Sequence, residues 1–372
     1  MNVNGVSMRQ SLRKARGASL IELMIAIAIG LIIVAALSVM YVNQTRVRAE
    51  LDKNNRMTDN GRYAIELLSK NVKHAGFYGE FDPSALPVPP SADPCATDAA
   101  TIALALRLAV QGINAPDVST APSLPSGCGL AAGMLKPGSD ILVVRRAATT
   151  PFAPAAGGNF LKLQASLCPS DVDAFKLSTA AGDLTLRQKN CAANLSDARR
   201  MLVEIYFVSP YNRPGDGVPT LKRLELAPAG WSIPAGTLKA DGTVQSSNGT
   251  LGTAGFVLTP LVEGIEYMQV DFGVDSDNTD GLAVADSHVA APLCPTSGTG
   301  SNCSELANVV DVKINLVARN TEPTKFYSDQ KTYPLGETGG AVTPAGGDTE
   351  FKRQTYSQFV RLVNVAGRRE TP

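Results

Sequence analysis

The sequence predicts an α+β protein in which a long N-terminal transmembrane α-helix packs on a β-rich globular head. An uninterrupted apolar segment near the N-terminus is followed by residues with helical periodicity. From about residue 77 onward, short β-like runs alternate with segments rich in Pro, Gly and Ser. We therefore expect a helix over residues 18–76 and a head over residues 77–372.

Residues 20–42, LIELMIAIAIGLIIVAALSVMYV, form the predicted membrane anchor. They contain one charge and are long enough to cross about 30 Å of hydrocarbon as a helix. Residues 1–17 contain four basic residues and no acidic one. This asymmetry predicts a cytoplasmic N-terminus and a head on the other side of the membrane.

An ordinary secretory signal, cut near Ser38, is the alternative interpretation of this segment. Two features oppose it. The apolar run is longer than the roughly 7 to 15 residues of a signal-peptide core, and Glu22 lies in the first turn, where a signal has no use for a carboxylate.

Composition excludes other classes. The 34 basic and 34 acidic residues balance, so no overall field attracts polyanions, and nucleic acid is not an expected partner. The two histidines, His74 and His288, are far apart in sequence and supply little for metal binding or acid–base catalysis. Because the sequence also has no G-x-S-x-G, H-E-x-x-H, P-loop or G-x-G-x-x-G motif, we predict a protein without enzymatic activity.

The junction between the basic segment and the apolar run, RGASLIE at residues 16–22, resembles a prepilin leader and cleavage site. The resemblance implies that a prepilin peptidase cuts after Gly17 and removes residues 1–17. Ala18 would then be the first residue of the mature chain and Glu22 the fifth. Ala18 stands where most family members have Phe, which leaves methylation of the new N-terminus open.

Glu22 also has a physical rationale. A carboxylate near the membrane edge costs up to a few kcal/mol unless it is paired or reaches water. The free α-amino group of a neighbouring subunit would pair with it, and in a filament of staggered helices this pair would fix the register between subunits. The alternative is a glutamate that only snorkels to the interface of a monomeric anchor.

Four further segments are similar to the PilW-like minor pilins, which are related to the J-type pseudopilins. These segments are NVKHAGFYG (71–79), VEGIEYMQVDFGVD (262–275), VKINLVARN (312–320) and FVRLVNV (359–365). The resemblance implies a structural subunit that helps prime type IV pilus assembly in a tip complex. Its partners would be the prepilin peptidase, other minor pilins, a tip adhesin, the major pilin and inner-membrane lipid. The head would be periplasmic before assembly and extracellular, at the pilus tip, after it.

Two other functions stay open. One is a J-type pseudopilin of a type II secretion system, which the large head with its many insertions disfavours. The other is a membrane-tethered periplasmic binding protein or enzyme that never polymerises. Gene neighbours would separate the first from a minor pilin, and a sheared-pilus fraction would separate the second.

The elements of the stem and head follow from periodicity. Apolar residues recur at helical spacing after the anchor, with Gly61 as a point where a kink is expected: Val47, Leu51, Ala64, Ile65, Leu68 and Val72. Strands are predicted over Asp140–Arg146, Phe160–Leu167, Met201–Ser209, Thr220–Leu226, Ile265–Val274, Val309–Arg319 and Gln358–Val365. Long connectors, such as residues 227–255 and 328–349, are predicted to be surface insertions.

Six cysteines lie in the predicted translocated head: Cys95, Cys128, Cys168, Cys191, Cys294 and Cys303. An even count in an oxidising compartment indicates disulfides, and no C-x-x-C spacing supports a zinc or thioredoxin-like site. Among the possible connectivities we favour pairing of neighbours along the sequence, so that each bond closes one insertion. Buried free thiols are the alternative.

One acidic segment, DSDNTDG at residues 275–281, is a candidate calcium site, with Asp275, Asp277, Asp280 and Asp286 as ligands. It is not an EF-hand, because the glycine is at the seventh place and no glutamate is at the twelfth. A solvated hairpin turn is the interpretation that we favour.

Overall fold

The computed structural model describes residues 19–156, 158–276, 281–290, 294–297, 303–336 and 340–370. The helices are α1 (Leu20–Lys73), α2 (Ala99–Leu104), α3 (Ser304–Ala307) and α4 (Val363–Arg369). The strands are β1 (Val110–Ile113), β2 (Ile141–Ala147), β3 (Lys162–Ala165), β4 (Phe175–Ser178), β5 (Ala198–Ser209), β6 (Thr220–Ala227), β7 (Ser232–Ile233), β8 (Gly249–Thr250), β9 (Gly255–Glu263), β10 (Ile265–Val274), β11 (Ser287–Val289), β12 (Val309–Arg319), β13 (Tyr333–Pro334), β14 (Ala341–Val342) and β15 (Arg353–Arg361).

The chain consists of two units, with the boundary after Asp52, and helix α1 contributes residues to both. In the first unit, the helix is exposed along residues 20–42 and is long and apolar enough to cross a membrane. In the second unit, residues 53–73 of the helix bury the apolar side chains Met57, Ala64, Leu68 and Val72 in the head. The α+β prediction, with a long apolar N-terminal helix and a β-rich head, is confirmed.

A seven-stranded antiparallel sheet forms the centre of the head, with the order β1-β2-β5-β3-β4 and with β6 and β9 continuing from β5. Its central strands are buried on both faces, which explains near-continuous apolar runs such as ILVV at residues 141–144. One face packs in a core with α1 and the second sheet. The other face packs against the segment between Tyr78 and Leu135.

A second antiparallel sheet has the order β11-β10-β12-β15. Alternate residues of its strands, among them Val270, Val312 and Val360, face the core that contains α1. The opposite face carries polar and aromatic side chains, such as Lys313, which lies 4.9 Å from the ring centre of Phe359. The alternation in residues 312–319 predicts one buried and one solvated face, but the polar face is covered in part: Gln269 and Asp271 are buried, and Tyr333 and Leu335 pack on Val317.

The structure differs from the sequence prediction at the end of β15 and at strands that were not predicted, which include β1, β4, β9 and β11. The predicted strand Gln358–Val365 is wrong at its C-terminal end, because β15 ends at Arg361 and α4 begins at Val363. Strand β9 was not predicted, since Pro260 within it argues against a central strand; it pairs with β6 alone, where proline is tolerated. The other six predicted strands are present with ends shifted by a few residues at most.

Gly61 lies where α1 passes closest to β15. The helix continues through it, and a Cβ atom at this position would lie 2.1 Å from Cε2 of Tyr356. The hydroxyl of Tyr356 donates a hydrogen bond of 3.3 Å to the carbonyl of Thr58. The glycine thus allows the aromatic ring to lie directly on the helix backbone.

We expect Gly61→Leu to lower the free energy of unfolding by about 1–3 kcal/mol, because overpacking forces the ring and the helix apart. Chemical denaturation of the full chain in detergent measures this. In the background of Tyr356→Ala the same substitution is expected to be much less destabilising, since the ring is gone. An equal loss in both backgrounds would show that the contact does not limit this position.

Candidate functional site: the N-terminal motif and the helix-to-head junction

The first turn of α1 is closed by a reciprocal capping box of Ser19 and Glu22. Oε2 of Glu22 accepts a hydrogen bond of 2.9 Å from the backbone N–H of Ser19, and Oγ of Ser19 accepts one of 3.3 Å from the N–H of Ile21. These bonds satisfy N–H groups that a helix start leaves without partners. Ser19 was missed in the sequence analysis, although Ser-x-x-Glu before an apolar run is a known signal for it.

Glu22 therefore has a local structural role in addition to any role between subunits. Its side chain and the apolar side chains that follow it are exposed along the helix; Met24, for example, is 63% exposed. The predicted cleavage residues Gly17 and Ala18 lie outside the described residues. The motif presents a carboxylate directly before an apolar surface that only lipid or other helices can cover favourably.

The junction between α1 and the head is built on two glycines with left-handed backbone. Gly76 has φ +71°, and its N–H donates a 2.9 Å hydrogen bond to the carbonyl of Arg145. Gly79 has φ +66°, and a Cβ there would lie 2.6 Å from Nε of Arg199. His74 forms a 2.7 Å hydrogen bond with the carbonyl of Lys70, which is a local contact at the end of α1. Both glycines permit a chain direction that other residues adopt only with strain.

The C-terminal helix α4 covers the last carbonyl groups of α1. Nδ2 of Asn364 donates to the carbonyls of Lys73 at 3.4 Å and Ala75 at 3.2 Å, and the guanidinium of Arg368 donates to the carbonyl of Gly76. A cation and amide donors suit the negative end of a helix dipole. The two ends of the head sequence therefore meet at the point where the stem ends.

A buried arginine supports this junction from the sheet side. Arg145 is 1% exposed and donates to the carbonyl of Leu108 at 3.3 Å and to Oε1 of Gln111 at 2.6 Å. Burial lowers its pKa to about 10, so it is charged at neutral pH. Burial also raises the pKa of Tyr78, which is 2% exposed. The bond from Arg145 to Gln111 connects β2 to β1 beneath the junction.

Three disulfides close the insertions of the head. They join Cys95 to Cys128, Cys168 to Cys191, and Cys294 to Cys303, which are the pairs favoured from the sequence. No described cysteine is free, so the thiol alternative does not hold in this structure. Each bond is expected to contribute about 2–4 kcal/mol by restricting the unfolded chain.

The acidic segment is only partly described, because Asp277 and Asp280 lie outside the described residues. Asp275 is 1% exposed, and its Oδ2 accepts a hydrogen bond of 2.9 Å from Nε of Arg369. Oδ2 of Asp286 accepts from the N–H and the hydroxyl of Ser276 at 2.8 and 2.7 Å. Among the described residues, no cluster of three or more metal-ligating side chains is present.

Calcium is therefore expected to leave the thermal midpoint of the full chain unchanged, since binding through Asp275 would have to displace an arginine from a buried ion pair. Melting in calcium and in chelator measures this. The expectation would be contradicted if calcium raised the midpoint of the wild-type chain and neither Asp277→Ala nor Asp280→Ala showed this rise. That result would support calcium binding by residues 275–281.

A buried ion network holds the insertion between β12 and β15. Glu266 is 1% exposed and accepts two hydrogen bonds from Arg353, at 2.5 Å from Nε and 3.0 Å from an Nη. Arg319 contributes a third contact, at 3.3 Å. A register shift between Ile265 and Tyr267 accompanies the inward position of Glu266, as a β-bulge often does.

The insertion supplies the other partners of this network. Asp329 accepts from Arg353 at 3.3 Å and from the hydroxyl of Tyr333 at 2.8 Å. Burial and the bond to Asp329 raise the pKa of Tyr333. Tyr333 and Leu335 pack on Val317 of β12. This network is not visible in the sequence, because its members lie in three separate segments of the chain.

Comparison with known proteins finds two matching family models and similar solved structures. The family model described as Type IV Pilus-assembly protein W matches residues 206–364, and the Prokaryotic N-terminal methylation motif matches residues 12–38. Among solved structures, a type IV-like pilin from Thermus thermophilus is similar, with a TM-score of 0.33 and 11% identity, over 84% of this chain and 98% of that one. Comparison with curated proteins returns no match.

The methylation motif, the apolar N-terminal helix and the β-rich head define a type IV pilin-like protein. Within this class the chain contains a PilW-like domain over residues 206–364, which includes β10, β12, β15 and the ion network that joins them, and in this part it is similar to the PilW-like minor pilins.

Proposed function

We propose that this protein is a non-catalytic minor pilin that helps to prime type IV pilus assembly and is located at the pilus tip with other minor pilins. The observation that carries the proposal is the N-terminal motif: a capped helix start with an exposed carboxylate, followed by an exposed apolar segment, joined to a PilW head. Such a segment is stable only in lipid or against other helices, and polymerisation supplies the second environment.

In this proposal the chain has two locations. A prepilin peptidase removes residues 1–17 while residues 20–42 cross the inner membrane and residues 77–372 lie in the periplasm. The stem, residues 18–76, then leaves lipid for a tip complex with other minor pilins, a tip adhesin and the first major pilin subunits. The three disulfides suit a head that functions outside the cytoplasm.

Glu22 is assigned the inter-subunit role. Its carboxylate caps its own helix through the N–H of Ser19 and is exposed, so it can also accept from the α-amino group of a neighbouring mature chain. This charge pair, formed where lipid excludes water, would set the stagger of adjacent helices.

The experiment is to locate an epitope-tagged chain on pili. Immunogold labelling confined to pilus ends, together with loss of most pili in a deletion strain, is the expected result. Label along the whole filament would contradict the tip location. Label that never leaves the membrane fraction would favour the tethered periplasmic protein instead.

A further inference from the structure

We propose that β15 is a docking strand, which takes up an edge strand from the head of a different pilin anchored in the same membrane. The proposal rests on the proposed function, since it needs a second pilin head as partner. It concerns a surface, the free edge of the second sheet, that pairs with no other strand of the described chain.

The hydrogen-bonding direction of β15 follows from its two ends. The N–H of Leu362 donates to the carbonyl of Val310 at 2.8 Å, and the N–H of Asn320 donates to the carbonyl of Lys352 at 3.0 Å. The register of β12 and β15 is regular between these two pairs. The backbone N–H and C=O groups of the even-numbered residues of β15 therefore form the hydrogen bonds to β12. The backbone groups of Thr355, Ser357 and Phe359 therefore point outward.

These outward groups are accessible. Thr355, Ser357 and Phe359 are exposed, and within the described part of the chain their N–H groups have no hydrogen-bond acceptor. Three consecutive outward positions match the spacing at which an added strand forms its hydrogen bonds.

β15 also lacks the features that protect edge strands. The other edges of the two sheets are short or interrupted: β1 and β4 have four residues each, β11 has three, and β9 contains Pro260. By contrast, β15 has nine residues in regular register, with no proline, no bulge and no charge between Arg353 and Arg361. A long, unprotected edge strand pairs readily with a strand of another chain. β15 is therefore the edge of the two sheets best suited to bind a partner strand.

The direction of β15 argues against a symmetric dimer. Thr58 contacts Gln354 and Ser69 contacts Gln358, so β15 and this part of α1 run in the same direction. If β15 paired with β15 of a second copy about a two-fold axis, the two α1 segments would run in opposite directions. Chains anchored in one membrane enter their heads from the same side, so a strand of a different pilin is the occupant that fits.

The side chains beside the edge define the chemistry of that strand. Phe359 is 56% exposed, with Lys313 over one side of its ring and His288 at 5.6 Å between ring centres. Ser357 and Thr355 are small and polar. The partner strand is therefore expected to place an apolar or aromatic residue opposite Phe359 and a small residue opposite Ser357.

The test uses the full chain co-expressed in its host with the other minor pilins, and compares the purified complex with the isolated chain. In the complex, the peptide covering residues 353–361 is expected to take up about three fewer deuterons at early times. The protected amides are those of Thr355, Ser357 and Phe359. Identical exchange in the two states, or no complex at all, would overturn the proposal. Wild-type chain that never reaches pili would instead overturn the proposed function.

A matched pair of variants tests the same strand independently. Ser357→Pro removes an outward N–H, whereas Ser357→Ala keeps it; both lose the 2.7 Å hydrogen bond from the Ser357 hydroxyl to Asn315. We expect the Pro variant to lower the yield of complex at least tenfold and the Ala variant to leave it unchanged, with similar melting curves. Equal yields would overturn the proposal. Homodimers of the wild-type chain that the Pro variant abolishes would assign the edge to self-association and overturn it as well.

Discussion

Glu22→Ala is expected to leave cleavage after Gly17 intact and to lower the number of assembled pili about tenfold or more. The peptide bond that is cut is unchanged, but a neighbouring α-amino group loses its partner. An unpaired charge within a membrane costs roughly 2.5–3.5 kcal/mol, and about 1.4 kcal/mol corresponds to a tenfold change. Counting pili by electron microscopy, with the mature mass as a check on processing, measures both effects.

Three control variants separate the two roles of this carboxylate. Glu22→Gln keeps an oxygen that can accept from the N–H of Ser19 but removes the charge, so it is expected to be as defective as Glu22→Ala. Ser19→Ala removes the hydroxyl cap at a cost of about 1 kcal/mol and keeps the charge, so it is expected to be close to wild type. Glu22→Asp keeps the charge on a shorter side chain and is expected to be milder than Glu22→Ala. Normal piliation in the Gln variant would show that Glu22 acts only as a helix cap.

Glu266→Gln is expected to destabilise the head by about 3–5 kcal/mol, because it leaves the buried guanidinium of Arg353 without its main counter-charge. The two oxygens of Glu266 accept from Arg353, and an amide offers only one acceptor in their place. Urea denaturation of the full chain in detergent measures the loss. The insertion between β12 and β15 is expected to become the site most sensitive to proteolysis.

Asp348 provides the matched control for this prediction. Its side chain is 57% exposed and lies 3.0 Å from Nη1 of Arg319, at the outer end of the same network. Asp348→Asn is expected to change the free energy of unfolding by less than about 1 kcal/mol, as for other exposed ion pairs. Similar losses in the Glu266 and Asp348 variants would mean that the buried pair has no special weight.

Local patterns predicted the stem and all of the longer strands except β9. The anchor can be predicted because a membrane-spanning helix needs a continuous apolar run. Strands β5 and β12 can be predicted because neighbouring residues are either all apolar or alternate between apolar and polar. The sequence pattern failed where tertiary context decides. Pro260 argues against a strand at β9, but a proline is tolerated there because β9 lies at the edge of its sheet. The apolar residues of α4 have the pattern of a strand and therefore appeared to continue β15.

The site shows the same division between local and long-range information. The prepilin-like motif and the junction glycines lie within short segments, so their chemistry can be recognised directly. The closure of the junction by Asn364 and Arg368, almost 300 residues after it, depends on contacts that a single sequence does not reveal. The sequence predicts a kink at Gly61, whereas α1 continues through this residue and the contact with Tyr356 explains the glycine as a packing position.

The intact mass of the chain recovered from sheared pili shows whether this protein is a processed pilin subunit. We expect the wild-type protein to lack residues 1–17 and to begin at Ala18. We also expect Gly17→Leu to remain as full-length precursor in the inner membrane, with none in the pilus fraction. A full-length wild-type chain in pili, or normal processing of the Gly17 variant, would contradict the assignment of this protein as a processed pilin subunit.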